Sequence, residues 1–272
     1  MKNPTRRNRN IGTSKQGYSQ DNKLVVPYPA LEMKSFYERL SSYKTVVKEI
    51  NGHSFTFIIE KTRDNSFHSC TVEDLANVLV HIPKQDYGEL ELIILRQPTR
   101  KEETLHPVWG RLIYSYEFED DYYPAILIES FDFEKSFKWP KKLSMAAQRE
   151  LNRLKDDGHK IKMGKKFFEA KYELEAVRAT QLYRTFLHEF GHYVHYLKVV
   201  EQPGTDHEDL EEWNKRLNLY HNIPSPEKEV FAHSYADKLK KEFQKKAVIP
   251  FSRIVDKQEM IKNDLSLNDF IK

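Results

Sequence analysis

Residues 181–198 read QLYRTFLHEFGHYVHYLK, an apolar stretch interrupted by His188, Glu189 and His192. From Glu173 past Lys198 no glycine or proline precedes Gly191, and Leu182, Phe186, Leu187, Tyr193, Val194 and Leu197 recur along the stretch, which predicts one long helix. On it His188-Glu189-Phe190-Gly191-His192 forms an H-E-x-x-H motif. Residues four apart share a helix face with about 6 Å between Cβ atoms, so both imidazoles can converge on one ion at about 2.0–2.1 Å. Glu189, about 100° round the helix from His188, is too near to be a third ligand but can reach a water on the ion and take its proton. With 11 histidines in 272 residues, composition alone yields about 0.04 such motifs by chance. Two histidines and a glutamate in so apolar a helix also demand a partner for their lone pairs and charge; satisfied core histidines are the competing reading.

A catalytic zinc takes three protein ligands and leaves a fourth position for water. The single cysteine, Cys70, rules out a multi-thiolate site, so any ligands are His, Asp or Glu. The metzincin extension requires Gly and His three and six residues past His192, where His195 and Lys198 stand. His195 shares the helix of the first pair, and one helix face cannot surround an ion with three residues in a row, so a structural or outer role suits it better. Gly204-Thr205-Asp206 lacks the residue that aspartate-ligand zinc peptidases carry between Thr and Asp. Asp206 reads better as the N-cap of a helix striped with Leu210, Trp213, Leu217 and Tyr220. In SPEKEVFAHSYA, residues 225–236, Ser225 as N-cap and Pro226 at the first position start another helix. Its opening turns carry Glu227 and Glu229, either of which is by itself also a dipole-favoured surface acid.

HEFGH followed 37 residues later by Glu229-Val-Phe-Ala-His-Ser-Tyr-Ala resembles the glutamate zincins, most closely the catalytic domain of anthrax lethal factor and the Pro-Pro endopeptidases. The resemblance spans residues 181–237. There the third ligand opens a Glu-x-Phe-Ala-x-x-aromatic segment, which aligns on Glu229 and not on Glu227. The resemblance implies a zinc-dependent endopeptidase with zinc held by His188, His192 and Glu229, and Glu189 as general base. It further implies a zincin-like mixed sheet whose edge strand pairs with a protein or peptide substrate in extended form; Tyr122–Phe131 is the segment expected to be that strand. Lethal factor-like enzymes place an oxyanion-stabilising tyrosine seven residues before the glutamate ligand. Asn222 stands there, so the role falls to Tyr220 if the loop carries two extra residues, with His221 as its rival. One turn past Glu229, where the family often has an acid orienting a histidine ligand, stands His233, and Asp237 is the nearest replacement. A looser similarity reaches regulatory peptidases that cut repressors.

Outward from these helices, residues 138–166 carry ten bases, Lys138 to Lys166, against three acids. They lack the aromatic interleaving of a single-strand binder and read as a solvated helix and loop. Upstream lie strand candidates at 89–95, 112–118 and 125–131, a capped helix at Thr71–Val80, and a hairpin of 45–50 and 53–60 about Asn51-Gly52. A helix is expected over 30–42. Past residue 131 the chain reads as helical to its end. Residues 1–24 hold Lys2, Arg6, Arg7, Arg9, Lys15 and Lys23 against Asp21 and read as a disordered basic arm, leaving 25–272 as one zincin-like domain.

The fold class expected is α+β, a strand-rich N-terminal lobe and a helical C-terminal lobe around a zinc cleft. A net charge of +3 is too even to argue for nucleic acid as a partner. No stretch approaches the about 18 apolar residues of a membrane span, and MKNPTRRNRN lacks the apolar core of a signal peptide. A cytoplasmic protein without a membrane partner is therefore expected, with leaderless export left open. Two other functions compete: a non-catalytic binding protein on the same scaffold, and a nucleic-acid binder using the arm and the 138–166 patch.

Overall fold

The Asn51-Gly52 pair adopts left-handed backbone, with φ of 54° and 68°, and closes a two-residue turn between β1 (Tyr43–Ile50) and β2 (His53–Glu60). The molecule is a computed structural model, described for residues 39–105, 107–205 and 208–271. The expected helix over 30–42 and the arm of 1–24 lie outside the described residues, except that 39–42 are not helical. The unit from Leu40 onward is compact by itself.

After the short β3 (Ser66–Phe67), Thr71 caps α1 (Val72–Leu79). Its hydroxyl accepts from Asp74 N, and Asp74 reaches back to Thr71 N, a capping box. Next come β4 (Leu92–Arg96), α2 (Arg100–Leu105), β5 (Gly110–Phe118) and β6 (Asp121–Glu129). These strands make a five-stranded sheet in the order β1-β2-β4-β6-β5. β2, β4 and β6 run parallel in its centre, and β1 and β5 are antiparallel edges. All five residues of β4 are buried, as a central parallel strand requires.

Two sequence expectations change here. β6 is paired on both sides, to β4 and to β5, so the Tyr122–Phe131 segment is not an edge; the free edge beside the metal-motif helix is β5. Nor is the chain helical from residue 131 onward. β7 (Phe131–Asp132) pairs with β3, and β8 (Ser136–Pro140), β9 (Lys162–Met163) and β10 (Phe167–Lys171) form a three-stranded sheet around α3 (Met145–Asp156) in sequence. These strands are two to five residues long and rich in lysine, which hides the alternation of Phe137 with Trp139.

From α4 (Leu174–Thr180) the helix runs through a π turn at Gln181–Thr185 into α5 (Phe186–Tyr196) and a second π turn at Leu197–Glu201. Buried side chains dock this helix on the sheet side. The Arg178 guanidinium forks onto Asp74 at 2.9 and 3.0 Å, and Gln181 Nε2 donates to the carbonyls of Glu129 at 2.6 Å and Trp109 at 2.9 Å. Beyond it lie α6 (Leu210–Asn222), α7 (Ser225–Lys245) and α8 (Lys257–Lys262). Asp209, whose carboxylate accepts from Glu212 N, caps α6; the cap expected at Asp206 falls outside the described residues. Pro224 takes the N-cap position of α7 and Ser225 is its first residue, one place from the expected cap. No helix among the described residues is long and apolar enough to cross a membrane.

Candidate metal centre

Gly191 explains how two separated motifs meet. A Cβ there would stand 2.9 Å from the carbonyl oxygen and 3.0 Å from the Cα of Ala232, so only glycine lets α5 and α7 cross this closely. The crossing sets Glu229, in the second turn of α7, against His188 and His192 one turn apart on α5.

The three side chains converge. His188 Nε2 and His192 Nε2 lie 3.1 Å apart. Glu229 Oε2 stands 3.3 Å from the first and Oε1 3.4 Å from the second. Ligand atoms about 2.0–2.1 Å from one tetrahedral ion stand about 3.3 Å from each other, so the donor set fits a zinc-sized cation. This is the one group of three such donors among the described residues. Burial, the neighbouring His192 and His233 rings and the Arg153 and Arg184 guanidiniums push the His188 imidazole down to about 3. Burial also lowers His192, although Glu229 pulls it the other way. Both rings are thus neutral near pH 7, the form that ligates metals.

Glu189 sits beside this group. Its Oε2 accepts from the backbone N–H of Leu112 on β5 at 2.9 Å. Burial raises its carboxyl to about 7, with Glu229 adding to the rise and the Leu112 bond opposing it. A carboxylate poised near neutrality can take up a proton and release it.

The remaining sequence candidates are placed elsewhere. Glu227 is exposed in the first turn of α7. The His195 ring stacks on Phe231 at 4.3 Å, away from the donor group, and Asp206 is outside the described residues. Tyr220 is buried in a ring cluster with Tyr114, Tyr196 and His195. Its hydroxyl lies 2.6 Å from that of Tyr114 and donates to the His192 carbonyl at 3.3 Å. His221 and Asp237 are exposed. His188 Nδ1 is buried and meets no hydrogen-bond partner, so the orienting acid is missing here. In its place the His233 ring packs on that of His188, with centroids 4.3 Å apart.

A cavity of about 690 Å³ opens from this centre. His188, Glu189, Glu229, His233 and Arg153 wall one part of it; Trp109, Phe131, Phe137, Trp139 and Tyr172 wall another, with Phe137 stacked on Tyr172 at 4.7 Å. Sequence reading did not assign a role to His233 or Arg153. His233 had a signal, its position four residues past Glu229 on one helix; Arg153 comes from α3 and had none. No protein-family model, curated protein or solved structure matches this chain.

Proposed function

We propose that this chain is a zinc-dependent endopeptidase with a zincin-like fold, related in its site to the glutamate zincins. The observation that carries the reading is the convergence of His188, His192 and Glu229 at ligand spacing, beside the half-buried carboxyl of Glu189. His188, His192 and Glu229 would hold the ion. When bound, zinc supplies a water of lowered pKa and a polarised scissile carbonyl.

The protein's own groups do the rest. Glu189 accepts the proton of the attacking water and passes it to the nitrogen of the leaving amine, a transfer suited to a carboxyl near 7. β5 is bonded to β6 on one side only, and no strand among the described residues pairs its other edge, where an extended peptide would add beside the Leu112 N–H that Glu189 holds. Leu112, whose N–H reaches Glu189, lies on that edge and brings the peptide backbone alongside the general base. The cavity beside the centre receives side chains flanking the bond.

The test is Glu189→Gln. Peptide hydrolysis should fall about 100- to 10,000-fold, the usual worth of a positioned acid–base group. Zinc content should stay near that of the wild type, because Glu189 does not hold the ion. Undiminished turnover would overturn the assignment.

A further inference from the structure

One cation in the cavity wall is not used by the hydrolysis. Arg153 Nη1 lies 3.2 Å from His233 Nε2, which must offer its lone pair there, and its nearest carboxylate, Glu150, is 3.9 Å away. Glu150 is already engaged, because both of its oxygens accept from Arg184 Nη1 at 3.0 and 3.1 Å. Arg184 also donates to Asp157 at 2.6 Å. Two carboxylates therefore serve Arg184, while the Arg153 side chain, 39% exposed, has an imidazole as its hydrogen-bond acceptor. A guanidinium offers five N–H donors in a planar fork that matches a carboxylate.

The place of this fork is telling. His233 bridges it to the metal centre, lying 3.8 Å from Glu229 Oε2. An extended peptide advances about 3.3–3.6 Å per residue, so a group beside Arg153 belongs to a residue close to the scissile bond. The cavity wall carries charges of both signs, and further lysines gather beside it on the small sheet. Lys138 lines the cavity, and the pairing of Pro140 with Phe167 brings Lys141 and Lys142 beside Lys165 and Lys166 at the Trp139 end of the small sheet. These four lysines are exposed.

We propose that Arg153 is a specificity-determining residue that binds a carboxylate of the substrate inside this cavity, so that the enzyme selects acidic peptides. The inference rests on the peptidase reading and names its substrate class. The carboxylate comes from an Asp or Glu side chain near the cleaved bond or from the end of the peptide.

Matched peptides separate these sources: Asp against Asn and Glu against Gln at each position flanking the bond, each with a free or an amidated C-terminus. The zinc-loaded full chain should favour the acidic member in kcat/KM by about tenfold or more, the scale of a charge-assisted hydrogen bond. A preference that follows the residue assigns the side chain; one that vanishes on amidation assigns the chain end. Arg153→Gln should bring the ratio toward one. Arg153→Glu should invert it toward matched Lys peptides, which a loss of fold cannot do. Cleavage indifferent to the carboxylate, or a preference unchanged in Arg153→Gln, overturns the proposal and leaves the peptidase reading standing. Failure to cleave any peptide overturns both.

Discussion

Two sets of histidines, the buried His68 and His159 on one hand and the partly buried His188 and His192 on the other, share part of their environment. All four have their imidazoles lowered by burial, His68 and His159 to about 4. An orphaned Nδ1 does not separate them either, since His68, His159 and His188 each have one. The difference lies in Nε2. In His68 it meets the Glu60 carbonyl at 2.8 Å, so it must donate. In His159 it meets the Thr180 hydroxyl at 3.0 Å, and because that hydroxyl donates to Asp157, His159 Nε2 again is the donor. Each core histidine thus fixes its proton on a lone acceptor. His188 and His192 instead aim Nε2 at each other and at one carboxylate. Convergence of Nε2 atoms on one point, together with partial exposure, distinguishes the candidate ligands from the core histidines.

The sharpest way to break this contrast is to count metal. The wild type should carry one zinc per chain, and Glu229→Ala should lose it by more than about 100-fold in affinity, since even groups that only orient a ligand are worth about 10- to 100-fold. Glu227→Ala and His159→Gln should keep it. Metal analysis of the purified variants decides: retention in Glu229→Ala, or loss in Glu227→Ala, would move the third ligand.

A smaller effect tests the core side of the comparison. His159 titrates near 6.5 when unfolded and about 4 when folded. Between those values the unfolded chain binds a proton that the folded one refuses. Its contribution to stability is therefore full above 6.5 and is lost as pH falls toward 4. From pH 6.5 to 5 the loss is about 1–2 kcal/mol for this residue. His159→Gln can keep a donor toward Thr180 without titrating, so chelator-treated protein carrying it should show a shallower drop in urea-unfolding free energy over that range. An equal drop would mean that His159 is not held neutral.

How far this was legible from sequence differs by element. The helix that carries His188 and His192, the Asn51-Gly52 turn and the Thr71 cap are local signals, carried by residues one to four apart, and all three elements stand in the structure. The interior position of β6 had a signal that went unread: Ala125, Ile126, Leu127 and Ile128 form an unbroken apolar run, and such a run is buried on both faces, as an edge strand is not. Asp209 too had one, standing three residues before Glu212 in the spacing of a capping pair. The small sheet did not, because strands of two to five residues among lysines leave no period to count. Arg153 reaches His233 across 80 residues of sequence, and no local pattern reports such a contact.

Tyr220 gives the smallest expected effect and the finest distinction. Resemblance alone offers it as the oxyanion donor, whose removal lowers turnover about 100- to 1000-fold. The structure gives its hydroxyl two other partners, Tyr114 and the His192 carbonyl, and leaves the residue out of the cavity wall. A phenol so engaged braces the His192 backbone against β5, because Tyr114 belongs to that strand. Tyr220→Phe should then lower stability by about 0.5–1.5 kcal/mol, the net worth of a hydrogen bond, and change kcat by less than about tenfold. Tyr114→Phe, which removes the same contact from the other side, should match it in stability, and His221→Ala, at an exposed position, should do less than either. Denaturant melts and peptide kinetics on the three variants separate the two roles. A fall in kcat of two orders of magnitude in Tyr220→Phe, with Tyr114→Phe little affected, would return Tyr220 to the reacting centre.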